Sequence, residues 1–154
     1  MQKQTLRFPL YISLLALLLA ASCQKEEEEE VPPTKTELIV SSGWKFDRAT
    51  AGTYGDVSTY IDACYKDNVI TFSNGGNGTV NEATVVCAPS TAGSFTWSFT
   101  NNETTLNTSS PLFPGGTGTF TIVTLNETNL VLSMPFTIPP PVSQTVVTEI
   151  TLKH

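Results

Sequence analysis

Histidine is nearly missing from this chain of 154 residues, since the one histidine, His154, is the last residue. Acyl transfer needs a nucleophile beside a base, and zinc sites also draw on histidine. A terminal histidine frays with the chain end and makes a poor ligand. Asp56, Asp62 and Asp67 lie in one region, but no spacing sets two carboxylates face to face for glycoside hydrolysis. We therefore expect a protein that is not an enzyme and that holds no metal ion and no cofactor.

Charged side chains are also scarce, at 14% of the sequence, and the acidic ones prevail. The chain has 14 Asp and Glu against 8 Lys and Arg, which gives a formal net charge of −6. Nucleic-acid binding needs a basic patch, so this balance argues against a nucleic-acid partner. Threonine, serine, asparagine and glycine are abundant instead, a composition that we take as typical of a β-sheet domain outside the cytoplasm.

Long apolar runs are absent too. The mostly apolar segment at residues 10–19 is too short to span a bilayer as a helix. Lys3 and Arg7 precede it, and the small residues Ala21 and Ser22 follow it. This order of charged, apolar and small residues is that of a secretory signal peptide.

Cys23 follows the small residues directly, and the segment resembles a bacterial lipoprotein signal, in which this cysteine is lipidated and becomes the new N-terminus. The resemblance implies a signal peptide at 1–22, a membrane anchor on Cys23 and a tether over 23–36. Residues 24–30, of sequence QKEEEEE, resemble the surface-export signal of Bacteroidetes lipoproteins, which implies an outer-membrane protein that faces the cell exterior. The alternatives are a solvated acidic linker and a soluble secreted protein with an incidental cysteine.

The other two cysteines, Cys64 and Cys87, lie in a chain that we expect to leave the cytoplasm. Disulfides persist in such compartments, and no second cysteine pair points to a metal site. The sequence therefore predicts a disulfide between Cys64 and Cys87. In the chain-entropy picture its loop of about two dozen residues stabilises the domain by roughly 3 kcal/mol.

The remaining chain has the pattern of β-strands, because short runs of β-branched and aromatic residues alternate with Gly, Asn and Pro. Residues 94–100 alternate aromatic and hydroxyl side chains, as a strand with one buried face does. We predict strands near 38–48, 66–74, 78–86, 94–100, 103–109, 117–125, 128–136 and 144–153. About eight strands joined by short turns favour an all-β, antiparallel up-and-down barrel over residues 37–154. An immunoglobulin-like sandwich is the alternative, disfavoured because Trp97 follows both cysteines.

Several short motifs resemble the small lipocalin-like lipoproteins of Bacteroidetes over about residues 38–152. They are a Gly-x-Trp-type first strand at 43–46, the segment at 64–72, the hairpin at 77–79, Cys87, the aromatic strand at 95–97 and the strands at 120–122 and 130–132. The resemblance implies an eight-stranded lipocalin-like barrel and identifies no catalytic residue. The proline run at 139–141 and the long stretch between Trp44 and Cys64 depart from the family pattern.

A barrel of eight strands is either filled by side chains or just wide enough for one small ligand. A packed core is the default interpretation of its aromatic residues. The functional alternative is a pocket for a small apolar or amphipathic molecule or a glycan. The candidate ligand-binding residues are Trp44, Phe72, Trp97, Phe99 and Phe120. Two functions remain open: a surface-anchored binding protein, and a structural lipoprotein with a filled barrel that contacts a partner protein in the cell envelope.

Overall fold

The computed structural model describes residues 31–154, and most of them form one antiparallel sheet that closes into a barrel. The predicted signal peptide, Cys23 and the acidic tract lie outside the described residues. The elements in chain order are α1 (Lys35–Val40), β1 (Gly43–Ala51), a 3₁₀ helix (Gly52–Tyr54), β2 (Gly55–Asp56), a second 3₁₀ helix (Ser58–Tyr60), α2 (Ala63–Lys66), β3 (Val69–Ser73), β4 (Asn77–Asn81), β5 (Gly93–Thr100), β6 (Thr105–Thr108), β7 (Thr119–Leu125), β8 (Asn129–Ile138) and β9 (Gln144–Lys153).

Closure of the barrel comes from the pairing of the first long strand with the last. From β3 to β9 each strand pairs with the next along the chain, and β1 pairs with β3 on one side and with β9 on the other. The two-residue strand β2 adds only a short pairing to the far end of β1. The predicted all-β barrel is confirmed, and its eight paired strands in a single closed sheet exclude the sandwich.

The strands bury alternate residues, because successive side chains in a strand point to opposite faces. β8 shows this most clearly, with buried side chains at every second position from Leu130 to Ile138. Fully burying one such side chain stabilises the fold by roughly 1.5–3 kcal/mol. The interior is one cluster of apolar residues that includes side chains from α1, from the strands and from the loops.

One end of the barrel, here called the closed end, is covered by α1. Thr34 begins the helix with a capping box: its hydroxyl accepts from the Glu37 N–H at 3.2 Å, and the Glu37 carboxylate accepts from the Thr34 N–H at 2.7 Å. Ile39 is fully buried, and its carbonyl accepts a 2.8 Å hydrogen bond from the Trp44 indole. The ring of His154 lies 4.0 Å from that indole, centroid to centroid. The helix and the C-terminal residue thus meet at Trp44.

The opposite end, here called the loop end, carries the longer connections: those between β1 and β3, β4 and β5, β6 and β7, and β8 and β9. Four apolar side chains from these connections are almost fully buried and join the interior cluster. They are Val57, Ile61, Leu112 and Phe113. The loop end is therefore closed by side chains of its own loops.

Some predicted strand boundaries are wrong. The strand predicted at 38–48 starts only at Gly43, because the Thr34 capping box begins a helix whose first two residues lie in the predicted tether. The strand predicted at 66–74 starts at Val69, after α2. The strand predicted at 78–86 ends at Asn81, because the next residue, Glu82, bonds to the loop that follows.

Residues Pro33–His154 form one compact unit around a single hydrophobic cluster. This part of the chain carries its own core, its disulfide and its closing helix. Within residues 31–154, no helix combines the length and the apolar character that a bilayer crossing requires.

Candidate ligand-binding site

The five residues predicted to bind a ligand do not form one site. Three pack together: the Trp97 ring lies 5.6 Å from that of Phe72 and 5.3 Å from that of Phe99, edge to face in both pairs. Phe120 lies on β7 against a different ring, and Trp44 lies at the closed end. All five belong to the hydrophobic cluster or pack against it. They contribute to the core, and their role in ligand binding stays a prediction.

The indole of Trp97 already has protein partners for its one donor. Its Nε1–H points at the carbonyls of Asn77 at 2.9 Å and Ser73 at 3.2 Å. These carbonyls flank the turn between β3 and β4, so Trp97 fastens that hairpin to β5. No donor of this ring is left for a ligand.

The loop between β6 and β7 places two large apolar side chains inside the barrel. Leu112 and Phe113 are 3% and 2% exposed, and the ring of Phe113 meets that of Phe120 edge to face at 6.4 Å. The sequence reasoning missed both residues because they lie in a segment rich in Pro and Gly that resembles an exposed loop. Two large apolar residues between Pro111 and Pro114 were the available signal, since solvated loops seldom carry such a pair.

Three buried side-chain oxygen atoms within the described residues have no hydrogen-bond partner: Thr148 Oγ1, Asn68 Oδ1 and Asp67 Oδ1. Thr148 on β9 is fully buried, and its hydroxyl Oγ1 is unpartnered. Asn68 is 2% exposed; its Nδ2 donates to the Thr91 hydroxyl at 3.2 Å, but its Oδ1 is unpartnered. Asn68 directly precedes β3, and its bond to Thr91 ties it to the loop between β4 and β5. A buried polar group without a partner lowers the stability of the fold by roughly 1–3 kcal/mol, so each of these atoms calls for an explanation.

Thr148 lies among apolar side chains on the half of β9 nearer the loop end. Its cross-strand partner on β8 is Met134, and Ile150 is the next residue on the same face of β9. The Met134 thioether also lies near the loop between β6 and β7, within 3.6 Å of where a Cβ on Gly116 would stand. Methionine is flexible and adapts to different neighbours. The surroundings of the Thr148 hydroxyl are therefore apolar and, on the Met134 side, adaptable.

The loop between β4 and β5 is held firmly by a carboxylate. Glu82 Oε1 accepts from the Cys87 N–H, the Thr91 N–H and the Thr91 hydroxyl at 2.7–3.1 Å, and Oε2 accepts from the Ser90 hydroxyl at 2.7 Å. These bonds, that from Ser90 first and those from Thr91 next, lower the pKa of Glu82 from its ordinary 4.5 to about 2. Hydrogen bonds to the charged form of a carboxylate have this effect.

A disulfide and a second carboxylate hold the same loop. Cys64 in α2 is bonded to Cys87, with the two Cα atoms 5.1 Å apart, so the predicted disulfide is confirmed. Asp67 Oδ2 accepts from the Val85 N–H at 2.8 Å and from the N–H and hydroxyl of Thr84 at 2.9 Å, bonds that lower the pKa of Asp67. The loop is thus fixed to the segment before β3 at several points.

The outside of the barrel offers shallow clefts of a different character. One of about 520 Å³ opens where β4 and β5 separate and includes Val86, which is 65% exposed. Tyr54 and Tyr60 stay 42% and 36% exposed near the loop end. In the part of the chain that the structure describes, no three His, Cys, Asp or Glu side chains are grouped to hold a metal ion.

The pKa of Glu82 makes the stability of the domain dependent on pH. A carboxyl group whose pKa is lowered by folding stabilises the folded state above its unfolded pKa, and that contribution is lost as the pH falls from 4.5 toward 2. We expect Glu82→Gln to lower stability at pH 7 and to flatten the loss of stability in this acid range. Urea unfolding over pH 2–7 measures the stability at pH 7 and its change in acid. Glu149→Gln, at an exposed position of β9, is the control. An unchanged acid profile would contradict the assigned role.

Thr148→Val tests the unpartnered hydroxyl. Valine has nearly the same shape but no buried oxygen, so we expect the free energy of unfolding to rise by about 1 kcal/mol. Thr151→Val, on the opposite face of the same strand, is the matched control; its hydroxyl is not among the unpartnered buried oxygens, so no such rise is expected. Chemical denaturation measures the difference. A loss of stability in Thr148→Val would mean that the hydroxyl has a partner in the folded protein.

Comparison with known proteins agrees with this architecture. Residues 41–132, more than half of the chain, match the family model described as a lipocalin-like domain. The chain matches no curated protein significantly. A lipocalin-like barrel suggests the binding of a small ligand. From the match and the closed antiparallel barrel, we conclude that the chain belongs to the lipocalin-like domain family.

Proposed function

We propose that this protein is a lipid-anchored binding protein of the outer membrane, that it faces the cell exterior, and that its barrel takes up a small apolar or amphipathic ligand through the loop end. It performs no catalysis. The ligand reaches the interior when the loop between β6 and β7 withdraws Leu112 and Phe113.

The position of Phe113 is the observation that supports ligand uptake through the loop end. Its ring fills part of an apolar barrel interior, yet it belongs to a loop and not to a strand. The loop can leave without breaking the closure of β1 with β9, so its opening costs less than opening the sheet. A withdrawn Phe113 exposes Phe120 and the neighbouring apolar wall to a ligand of similar chemistry.

The loop has the features of a movable segment. Gly115 and Gly118 have φ angles of +71° and +78°, a region that other residues rarely adopt. Of the backbone hydrogen bonds at this loop, Gly116 N–H to the Phe113 carbonyl at 3.2 Å lies within the loop, and Thr108 N–H to the Gly118 carbonyl at 2.7 Å joins its two ends. The loop between β4 and β5 has a disulfide and two carboxylates instead. Opening is therefore expected on the β6–β7 side.

The apolar character of the interior favours an apolar or amphipathic ligand over a glycan. Sugars are usually held by several polar groups and an exposed aromatic face. Tyr54 and Tyr60 supply exposed rings on the outside, but the inner wall consists mainly of buried aliphatic and aromatic side chains.

A structural role is the second candidate, favoured by one specific observation. Val85 and Val86 are 43% and 65% exposed on a loop that Asp67, Glu82 and the disulfide hold rigid. A rigid apolar loop loses little entropy when it docks on a protein of the cell envelope. The two candidates differ in what binds: a small molecule inside the barrel, or a protein on its surface.

Ligand uptake is tested with residues 31–154, which include the whole compact unit. After incubation with a lipid extract of the source cells, native mass spectrometry should show an added mass that unfolding releases. Phe113→Leu should bind about five- to tenfold more tightly, because a less well packed loop raises the population of the open state. Phe95→Leu, on β5, is the control with a similar loss of packing and no gain in affinity. A bare mass for wild type and Phe113→Leu would favour the structural role.

The anchor is tested on the full chain in cells. Its support is the signal-peptide pattern before Cys23, together with the resemblance of residues 24–30 to an export signal. We expect Cys23→Ala to abolish acyl labelling and to release the protein from membranes, since several acyl chains are needed for stable attachment. Alanine at residues 24–28 should remove the sensitivity of the anchored protein to protease added to intact cells. Unchanged acyl labelling of Cys23→Ala would contradict the lipid anchor.

A further inference from the structure

Two buried oxygens without a partner lie beside the apolar core: Thr148 Oγ1 on β9 and Asn68 Oδ1 just before β3. The third, Asp67 Oδ1, belongs to the carboxylate that holds the loop between β4 and β5. Asn68 Oδ1 can only accept a hydrogen bond, and the Thr148 hydroxyl can accept or donate one. Both side chains are at least 98% buried, so neither oxygen is compensated by bulk water. A ligand that supplies a donor would recover the free energy that these atoms lose on folding.

Positive charge is missing from the same interior. Among residues 31–154 the buried polar side chains are Asn68, Thr148 and, on the outer face of β9, Thr151, and no Lys, Arg or His is buried. The cations of β1, Lys45 and Arg48, are exposed on its outer face. A carboxylate or phosphate inside the barrel would have no counter-ion and would meet the partial negative charge of the Asn68 carbonyl. Burying an unpaired anion in such surroundings is strongly unfavourable.

From these observations we infer that the barrel selects a neutral amphiphile whose apolar body carries a hydroxyl or amide group, that this group donates a hydrogen bond to Asn68 Oδ1 and accepts one from the Thr148 hydroxyl, and that fatty acids and other anions are excluded. The inference rests on the proposed function, because it names the class of ligand that the same interior takes.

The polar group of the ligand is expected in the half of the barrel nearer the loop end. Asn68 stands where the chain enters β3 from that end, and Thr148 lies in the first half of β9. The apolar body of the ligand then extends along the wall that Leu112 and Phe113 cover in the closed state.

The test uses three probes with one alkyl chain and different heads: lauryl alcohol, lauramide and lauric acid. Binding to residues 31–154 is measured at pH 7 by native mass spectrometry and by calorimetry below the solubility limit of each probe. We expect the alcohol and the amide to bind at least about tenfold more tightly than the ionised acid. The affinity of lauric acid should rise as the pH falls into the range where its carboxyl group is protonated.

Variants separate the polar contacts from general packing. Thr148→Val should weaken the binding of lauryl alcohol and lauramide by about tenfold, although it leaves the interior volume almost unchanged. Asn68→Leu should act in the same direction. Thr151→Val, on the outer face of β9, is the control and should leave all three affinities unchanged. Melting temperatures without a probe identify any variant that fails to fold, and a folded Thr148→Val is sufficient for the test.

The outcomes distinguish the inference from the proposed function. If no probe binds the wild-type domain or Phe113→Leu, the proposed function fails and the inference fails with it. If the probes bind but lauric acid at pH 7 binds as tightly as the alcohol, the barrel is a ligand site and the inference alone is wrong. The same conclusion follows if Thr148→Val binds all three probes as the wild type does.

Discussion

The pairing of β1 with β9 is the constraint on which the rest of the structure depends. It joins the first long strand to the last and turns a sheet into a barrel without a long exposed edge. A closed barrel has an inside, and this inside must be filled because empty apolar space costs stability. The wall residues alone leave the two ends uncovered. The chain covers one end with a helix and the other with loop side chains.

The closed end is built from mutually dependent contacts. The capping box at Thr34 sets the start of α1, α1 presents the Ile39 carbonyl, and the Trp44 indole donates to it from the first strand. Breaking any of these exposes a buried polar group or a large ring. The loop end is restrained unevenly, with a disulfide and two carboxylates on the β4–β5 side and a glycine-rich loop on the β6–β7 side. Any exchange between side chains and a ligand is therefore expected where the restraints are fewest.

The sequence predicted the strands and the disulfide because both have local signals. Alternating residues at 94–100 and the pair Cys64 and Cys87 can be identified without knowing the fold. The boundaries of the strands were harder to predict. A helix of six residues depends on one capping box, and the end of β4 depends on hydrogen bonds that Glu82 makes across a loop. The residues that line the interior at the loop end were harder still to predict from the sequence. Phe113 and Thr148 are far apart in sequence, and only the closed barrel turns both toward one interior.

The unpartnered oxygens also weigh against a barrel that is merely filled. If the interior served packing alone, a valine at position 148 would fit the same space with no polar atom to bury, and an apolar residue at position 68 would do the same. Burying both polar groups without partners lowers stability, and a ligand with a hydrogen-bond donor would offset that cost. The absence of a buried cation in the described chain limits that binding further, because oxygens alone cannot hold an anion. A neutral ligand with a hydrogen-bond donor satisfies both conditions at once.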